Sequence, residues 1–294
     1  MGWAIVRELE ANGWKVVPVS SADADLRDAE QTERLFDRVK PSHVIHLAAR
    51  VYGLMGNLAH PAEVFVDNVR LNTNTIQAAH QHGVGRFVGM GSVAMYADGL
   101  KLPVREDDIF SGEPHHSEAA YAHAKRAMLA QLEAYRLQYS FEYTFAVATN
   151  MFGPSDRFDE EEGHVLPSLI SKFHRAATLG ETATVWGTGV ARRDFLYSRD
   201  AASGLRLLLE APPGVYNLAT GGEIAIRDVA DQLAGIAGLE NGIEWDSTKP
   251  DGQRRRLYDV SKLRSLGWEP AHDTASALRE SYDWYSANVA TARR

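Results

Sequence analysis

Short apolar runs alternate with longer amphipathic stretches through the first half of the chain. The apolar runs predict buried strands at 15–19, 43–48, 86–90 and 141–147. The amphipathic stretches predict helices at 31–39, 62–82 and 117–139. Strands that alternate with helices are typical of a parallel sheet covered on both faces. We therefore expect an α/β fold with a Rossmann-like, doubly wound parallel sheet.

The pattern becomes less regular after Pro154. It predicts a helix at 166–177, a strand at 183–186, and further helices at 227–237 and 274–288. We expect a nucleotide-binding domain at 1–153, to which 190–220 return. A smaller C-terminal α/β substrate lobe is then formed by 154–189 and 221–294.

The composition excludes several classes of protein. The 294 residues are 45% hydrophobic and 24% charged, which suits one nucleotide-binding domain with a smaller lobe. With no cysteine, the chain has no disulfide, thiol nucleophile or cysteine metal site, and no histidine or acidic cluster has convincing metal spacing. A net charge of -8 argues against nonspecific nucleic-acid binding. No membrane span or signal peptide is indicated, so a cytoplasmic location is expected.

The most informative chemistry is the pair Tyr121 and Lys125, four residues apart on a predicted helix. Positions i and i+4 share one face, so the lysine ammonium is expected to lie near the phenol and to lower its pKa from about 10. A phenol tuned in this way acts as a general acid near neutral pH. The alternative for this spacing alone is an ordinary amphipathic helix.

Polar and small residues follow three predicted strands. Gly91 and Ser92 end one strand, Ala48 and Ala49 follow another, and Thr149, Asn150 and Met151 follow the third. In an open α/β sheet, ligands bind beyond the carboxyl ends of the strands. These strand ends are therefore expected to converge on one crevice with Tyr121 and Lys125.

Together with Ser92, Tyr121 and Lys125, five further segments make the chain resemble the extended short-chain dehydrogenase/reductase family, and within it the GDP-L-fucose synthase family. The segments are Gly163-His164-Val165-Leu166-Pro167, Val185-Trp186-Gly187-Thr188-Gly189, Arg192-Arg193-Asp194-Phe195, Pro250-Asp251-Gly252-Gln253 and Leu266-Gly267-Trp268. The resemblance covers nearly the whole chain. It implies NADPH-dependent 3,5-epimerisation and C4 reduction of a GDP-4-keto-6-deoxy sugar.

The resemblance also implies roles for individual residues. Tyr121 is the acid for reduction, Ser92 polarises the ketone, and Lys125 tunes Tyr121 and holds the nicotinamide ribose. His164 transfers protons at carbon, although a lone histidine before a helix is otherwise a cap or surface residue. For binding of the substrate, the implied residues are Lys172, Trp186, Arg193, Asp251 and Arg256, where 254–256 alternatively form a solvated run of arginines.

The cofactor is expected to be NADP(H). The segment after the strand predicted at 15–19 has no acidic residue at its tip, where an NAD enzyme engages the ribose 2′-hydroxyl. Ser20 and Ser21 could instead donate to a 2′-phosphate, or could form a solvated turn. The full set of expected cofactor-binding residues is Gly2, Ser20, Ser21, Ala48, Ala49, Gly91, Ser92, Lys125, Thr149, Asn150, Met151 and His164.

Two departures from the family pattern leave alternatives open. Ala94 stands where these synthases carry a cysteine that serves in epimerisation, and a methyl group transfers no proton. Reduction without epimerisation is therefore an alternative, unless water or another side chain, such as His115 or His116, supplies the proton; both histidines are otherwise solvent-facing. The family opens with a strand and a Gly-x-x-Gly-x-x-Gly turn, but here Gly2 resembles the last glycine of that turn, and the strand and the first two glycines are missing. This predicts a misassigned start or a truncated chain.

A naturally degenerate protein is the alternative, as is a non-catalytic paralogue that binds a nucleotide-sugar. The family also implies a homodimer formed by the helices that begin near Ala62 and Ser117.

Overall fold

The computed structural model describes residues 1–51, 54–161, 163–249 and 254–293. Its helices are α1 (Gly2–Ala11), α2 (Ala29–Val39), α3 (Leu54–Ala59), α4 (Pro61–Gln81), α5 (Ala119–Tyr139), α6 (Val165–Leu179), α7 (Ser198–Leu208), α8 (Ile226–Ala237), α9 (Ser261–Arg264) and α10 (Thr274–Asn288). Its strands are β1 (His43–His46), β2 (Arg86–Ser92), β3 (Tyr143–Ala148), β4 (Asn150–Phe152), β5 (Ala183–Trp186), β6 (Arg192–Arg193), β7 (Phe195–Tyr197), β8 (Gly214–Leu218), β9 (Ile224–Ala225) and β10 (Ile243–Asp246). Short 3-10 turns span Val93–Met95 and Glu106–Asp108.

The central sheet has the strand order β1-β2-β3-β8, and all its pairs are parallel. Its register places His46 beside Gly89, Ser92 beside Ala148, and Ala148 beside Leu218. The carboxyl ends of these strands therefore meet at one edge of the sheet. The expected Rossmann-like α/β fold with a parallel sheet is confirmed.

Helices cover both faces of this sheet because successive strand residues point to opposite sides. Phe87, Phe145 and Val147 pack into a cluster with residues of α4 and α5. The alternating positions Val88 and Ala146 pack into a second cluster with residues of α1 and α7. The strands are thus buried on both faces, as their continuous apolar sequence predicted.

A third hydrophobic cluster lies outside the central sheet. It gathers buried residues of α6, β5, β7, α8 and α10. Beside it, β5 pairs in parallel with β10, and β4 pairs in parallel with β7. In the described part of the chain, no helix is long and apolar enough to cross a bilayer.

The helix predictions are close to the observed bounds, and α10 and β5 match them at both ends. Two of the helices begin at side-chain caps: Asp28 accepts from Gln31 N, and Asp273 accepts from Ser276 N. The strand predicted at 15–19 is wrong, since this segment has no strand pairing, and Val17 and Val19 are exposed. A strand requires a hydrogen-bonded neighbour, and no described residue provides one here.

Candidate active site at the carboxyl edge of the sheet

Tyr121 and Lys125 lie on one face near the start of α5. The Lys125 ammonium is buried and donates a hydrogen bond of 2.8 Å to the Met90 carbonyl oxygen of β2. Its Nζ is 5.7 Å from the centre of the Tyr121 ring. The structure therefore places the two residues on one helix face, as the spacing predicted, and packs the pair against the strand that ends in Ser92.

The ionisation of the pair differs from the expectation. Burial raises the pKa of Tyr121, and the nearby Glu118 carboxylate raises it further, so the expected lowering by Lys125 is wrong for this arrangement. Burial lowers the pKa of Lys125 to about 7, which leaves its ammonium only partly charged near neutral pH. Tyr121 therefore holds its proton at neutral pH, which is the state that a general acid requires.

Ser92 ends β2 and begins the 3-10 turn at Val93–Met95. Its hydroxyl oxygen accepts a hydrogen bond of 3.2 Å from the Ala94 backbone N–H. Ala94 is buried, and its methyl group has no proton to exchange. Gly91 is explained by packing, because a Cβ there would lie 2.3 Å from a carbon of the Phe145 ring.

A cavity of about 130 Å³ opens beside Tyr121. One wall comes from the segment that leads into α5, and the other from α3 and the start of α4; the lining residues are Asn57, Leu58, Pro61, His116, Ser117, Glu118, Ala120 and Tyr121. Within the described part of the chain, the buried Asn57 Oδ1 has no hydrogen-bond partner. An unsatisfied buried amide oxygen on a cavity wall indicates a site for a ligand that donates hydrogen bonds.

Arg256 reaches this cavity through an ion pair with Glu118. Its Nη2 is 3.2 Å from Glu118 Oε2, and the arginine side chain is 15% exposed. The pair joins two segments that are 138 residues apart in the chain. Arg193 lies in β6, where its Nη1 donates to the Arg192 carbonyl oxygen at 2.8 Å.

Trp186 lies at the end of β5 and is 45% exposed. The Lys172 ammonium is 5.2 Å from the centre of a Trp186 ring, and the Lys249 ammonium is 5.5 Å from it. An exposed indole with two ammonium groups near its ring suits a flat aromatic group that carries negative charge. Lys249 was not predicted from the sequence; the predicted Asp251 lies outside the described residues.

His164 stands apart from the residues that line the cavity. It immediately precedes α6, its side chain makes no capping hydrogen bond, and it is exposed. Of the four predicted catalytic residues, Tyr121 lines the cavity, Lys125 contacts its ring, and Ser92 ends the strand to which Lys125 bonds. The structure brings these three together and leaves His164 at a separate helix end.

The residues after β3 make contacts within the protein. The Thr149 hydroxyl and the Asn150 amide donate to the Asp194 carbonyl oxygen at 3.0 and 3.2 Å, while Met151 is in β4. The Asp194 carboxylate accepts from the backbone N–H groups of Thr220 and Gly221, and burial raises its pKa to about 6. Asp194 thus ties this edge of the sheet to the loop after β8.

The remaining predicted cofactor residues lie after β1 or in the first 21 residues of the chain. Ala48 and Ala49 lie in the loop after β1, and Gly2 begins α1. The Ser20 hydroxyl donates to Asp23 Oδ2 at 2.8 Å, so it serves a local turn, while Ser21 is exposed.

His46, a buried histidine at the end of β1, was not identified from the sequence as part of this region. His46 Nε2 is 2.9 Å from Asn72 Oδ1, and burial together with the Lys125 ammonium lowers the His46 pKa to about 4. The position of His46 inside an apolar predicted strand could have identified it as buried. The described residues contain no group of three or more metal-ligating side chains.

Comparisons with known proteins agree with this geometry. Residues 1–219 match the model of the NAD dependent epimerase/dehydratase family. The chain is 37% identical to GDP-L-fucose synthase 1 of Arabidopsis thaliana over 293 residues, which cover 98% of the chain and 91% of that protein.

Two solved structures are also similar. A GDP-L-fucose synthetase from Naegleria fowleri bound to NADP has a TM-score of 0.92 at 29% identity, covering 100% of this chain and 92% of that one. MlghC, a GDP-mannoheptose C4 reductase from Campylobacter jejuni with NADP bound, has a TM-score of 0.87 at 26% identity, covering 97% and 94%.

Proposed function

Because the chain belongs to the NAD dependent epimerase/dehydratase family and, within it, to the GDP-L-fucose synthases, we propose that it converts GDP-4-dehydro-6-deoxy-D-mannose to GDP-L-fucose. The reaction combines 3,5-epimerisation with NADPH-dependent reduction at C4. The observation that carries the proposal is the Tyr121–Lys125 pair beside a cavity with an unsatisfied amide oxygen. A protonated phenol at such a cavity suits the reduction of a ketone.

The carboxyl edge of the sheet fits a dinucleotide. Ala48 and Ala49 provide a loop of small side chains, and Lys125 brings an ammonium to the same edge as Ser92. The cofactor, when bound, supplies the hydride. The cofactor-binding roles of Gly2, Ser20, Ser21, Gly91, Thr149, Asn150, Met151 and His164 are part of this proposal.

In the reduction, Tyr121 delivers its proton to the C4 oxygen while Ser92 hydrogen-bonds the same oxygen. Positive charge on Lys125 favours the phenolate that remains, because an ammonium near a phenolate lowers the free energy of the charged form. In the epimerisation, His164 transfers protons at carbon. This step requires His164 to approach the sugar from the start of α6.

The GDP group is recognised by the C-terminal lobe. The exposed Trp186, with Lys172 and Lys249 near its ring, receives the base or the diphosphate. Arg193, Asp251 and Arg256 complete the predicted set, and the Arg256–Glu118 ion pair connects it to the cavity. In this division the nucleotide-binding domain is 1–153 with 190–220, and the substrate lobe is 154–189 with 221–294.

The protein acts in the cytoplasm as a homodimer that forms through α4 and α5. These helices pack against each other and expose apolar side chains, among them Phe65 and Val66 on α4 and Leu137 on α5. Exposed apolar side chains on neighbouring helices suit a helical interface. Neither a nucleic acid nor a membrane is a partner in this proposal.

A second candidate function is C4 reduction without epimerisation. The buried Ala94 favours it, since it leaves a methyl group where the family has a thiol. The similarity to a GDP-mannoheptose C4 reductase agrees with it as well. This reaction yields GDP-6-deoxy-D-mannose or its C4 epimer in place of GDP-L-fucose.

The test is product analysis with the purified protein, GDP-4-keto-6-deoxy-D-mannose and NADPH. Consumption of NADPH with formation of GDP-L-fucose, identified by NMR, is expected. An unepimerised 6-deoxy product would favour the reductase alternative. If the sugar is bound but NADPH is not consumed, both functions are contradicted. Tyr121→Phe is the matched control, because it removes one hydroxyl from the cavity.

A further inference from the structure

Asp98, His115 and Ser117 form a series of polar side chains that ends in the cavity beside Tyr121, with a hydrogen bond between Ser117 and His115 and an ion-pair contact between His115 and Asp98. Ser117 is 6% exposed and lines this cavity, and its Oγ is 2.7 Å from His115 Nδ1. His115 Nε2 lies 3.8 Å from Asp98 Oδ2. A hydroxyl, an imidazole and a carboxylate in this order can transfer a proton along the series.

The backbone holds these three residues in place. Ala97 and Pro114 form an antiparallel bridge, which brings Asp98 next to His115 although they are far apart in the chain. The Ser117 backbone N–H also points at His115 Nδ1, at 3.4 Å. Because two donors face Nδ1, the proton of the neutral imidazole lies on Nε2, directed towards Asp98. The orientation of His115 is therefore determined from both sides.

The proposed epimerisation requires a second proton-transferring group besides His164, and this chain lacks a thiol for it at Ala94. Inversion at a carbon beside the ketone needs one group to remove a proton and another to return one to the opposite face. Among the cavity residues able to carry a proton, Tyr121 serves the C4 oxygen, Glu118 is paired with Arg256, and His116 is exposed. Ser117 is the buried hydroxyl among them, and it has an imidazole behind it.

We propose that Ser117 removes the proton for inversion at C3 or C5 of the sugar, with His115 as the acceptor of the Ser117 hydroxyl proton and Asp98 as the group that orients His115. This inference rests on the proposed function and names the base of its epimerase half. Asn57 lines the same cavity, and in this proposal its unsatisfied Oδ1 accepts a hydroxyl of the sugar.

The step balances as follows. Ser117 Oγ removes the proton from the carbon beside the ketone, and the electron pair spreads onto the C4 oxygen. At the same time the Ser117 hydroxyl proton moves to the unprotonated Nδ1 of His115, whose positive charge then lies beside Asp98. His164 returns a proton to that carbon on its other face, and both histidines exchange their protons with water. One solvent proton enters the sugar and one carbon-bound proton leaves it, so the oxidation state of the sugar does not change.

Solvent deuterium exchange tests the proposal. The full-length protein is incubated with GDP-4-keto-6-deoxy-D-mannose and NADP⁺ in deuterated water, and deuterium at C3 and C5 is followed by NMR. Ser117→Ala is expected to slow exchange at one of these carbons by about 10²- to 10⁴-fold. Ser117→Cys, which retains an acidic proton, is expected to restore much of the exchange. Ser111→Ala, an exposed serine of the same segment, is the matched control and should exchange normally.

For His115 and Asp98, the measurements must distinguish a role in proton transfer from a role in folding. His115→Ala is expected to lose exchange and to regain it when free imidazole is added. Asp98→Asn is expected to slow exchange with an unchanged KM for the sugar. NADPH consumption by each variant is measured separately, and a normal melting temperature shows that the variant is folded.

The outcomes separate this inference from the proposed function. If the parent protein exchanges and Ser117→Ala exchanges equally fast, Ser117 does not transfer the proton and the synthase function stands. If the parent protein reduces the sugar but exchanges neither carbon, the epimerase half and the Ser117 proposal both fall. If it neither exchanges nor consumes NADPH, the proposed function itself is contradicted together with this inference.

Discussion

Replacing Lys125 with methionine is expected to alter how the stability of the protein depends on pH. The ammonium is 1% exposed, and burial lowers its pKa from 10.5 to about 7. Methionine has a similar length and carries no charge in either the folded or the unfolded chain. The substitution therefore removes one titrating group with little change in packing.

The sign of this pH dependence follows from which state, folded or unfolded, binds the Lys125 proton. Between about pH 7 and pH 10.5 the unfolded chain keeps the Lys125 proton and the folded chain has released it. The free energy of unfolding of the parent protein therefore rises with pH through this window, by up to about 1.4 kcal/mol per pH unit. The Lys125→Met variant lacks this rise. Its stability relative to the parent is expected to fall by about 2 kcal/mol between pH 7 and pH 9.

The assay is urea denaturation followed by tryptophan fluorescence, with both proteins measured at several pH values from 6 to 9. All other titrating groups are shared and cancel in the difference. Lys101→Met, at an exposed position, is the matched control and should show a difference that does not change with pH. A pH-independent difference for Lys125→Met would refute the reasoning, because it would mean that the folded and unfolded chains hold this proton equally well.

Three further substitutions test the site. Tyr121→Phe is expected to lower NADPH consumption by about 10²- to 10⁴-fold while the nucleotide-sugar still binds, and near-normal turnover would exclude it as the acid. Ala94→Cys is expected to speed deuterium incorporation at C3 or C5 without changing the rate of hydride transfer; an unchanged exchange rate would mean that this position does not face the sugar. Trp186→Ala is expected to weaken GDP binding by about tenfold in calorimetry with NADPH affinity retained, since loss of aromatic stacking costs about 1–3 kcal/mol, and equal GDP affinity would remove Trp186 from the site.

The sequence predicted those parts of the fold that depend on local periodicity. The 3.6-residue pattern located α10, and the continuous apolar runs located β2 and β3. It failed at 15–19, where an apolar pattern was read as a strand, because pairing depends on a neighbour that local sequence does not reveal. It also did not predict α7 and β8 as separate elements, although 190–220 were expected to return to the sheet.

The same distinction applies to the site. The Tyr121–Lys125 contact was predictable because it follows from helical spacing. The Glu118–Arg256 ion pair was not, since its partners are 138 residues apart in the chain and only the fold brings them together. The pKa of Tyr121 was predicted in the wrong direction because burial raises it and the Glu118 carboxylate raises it further, and the degree of burial is a property of the packed structure.

The central claim is that the chain transfers hydride from NADPH to C4 of a GDP-4-keto-6-deoxy sugar. The most direct measurement uses NADPH that carries deuterium at its reactive nicotinamide carbon, with GDP-4-keto-6-deoxy-D-mannose as the substrate in ordinary water. The account predicts one deuterium at C4 of the product and none at C3 or C5, and no product from Tyr121→Phe on the same timescale. A product without deuterium at C4, or oxidation of NADPH that leaves the sugar unchanged, would contradict it.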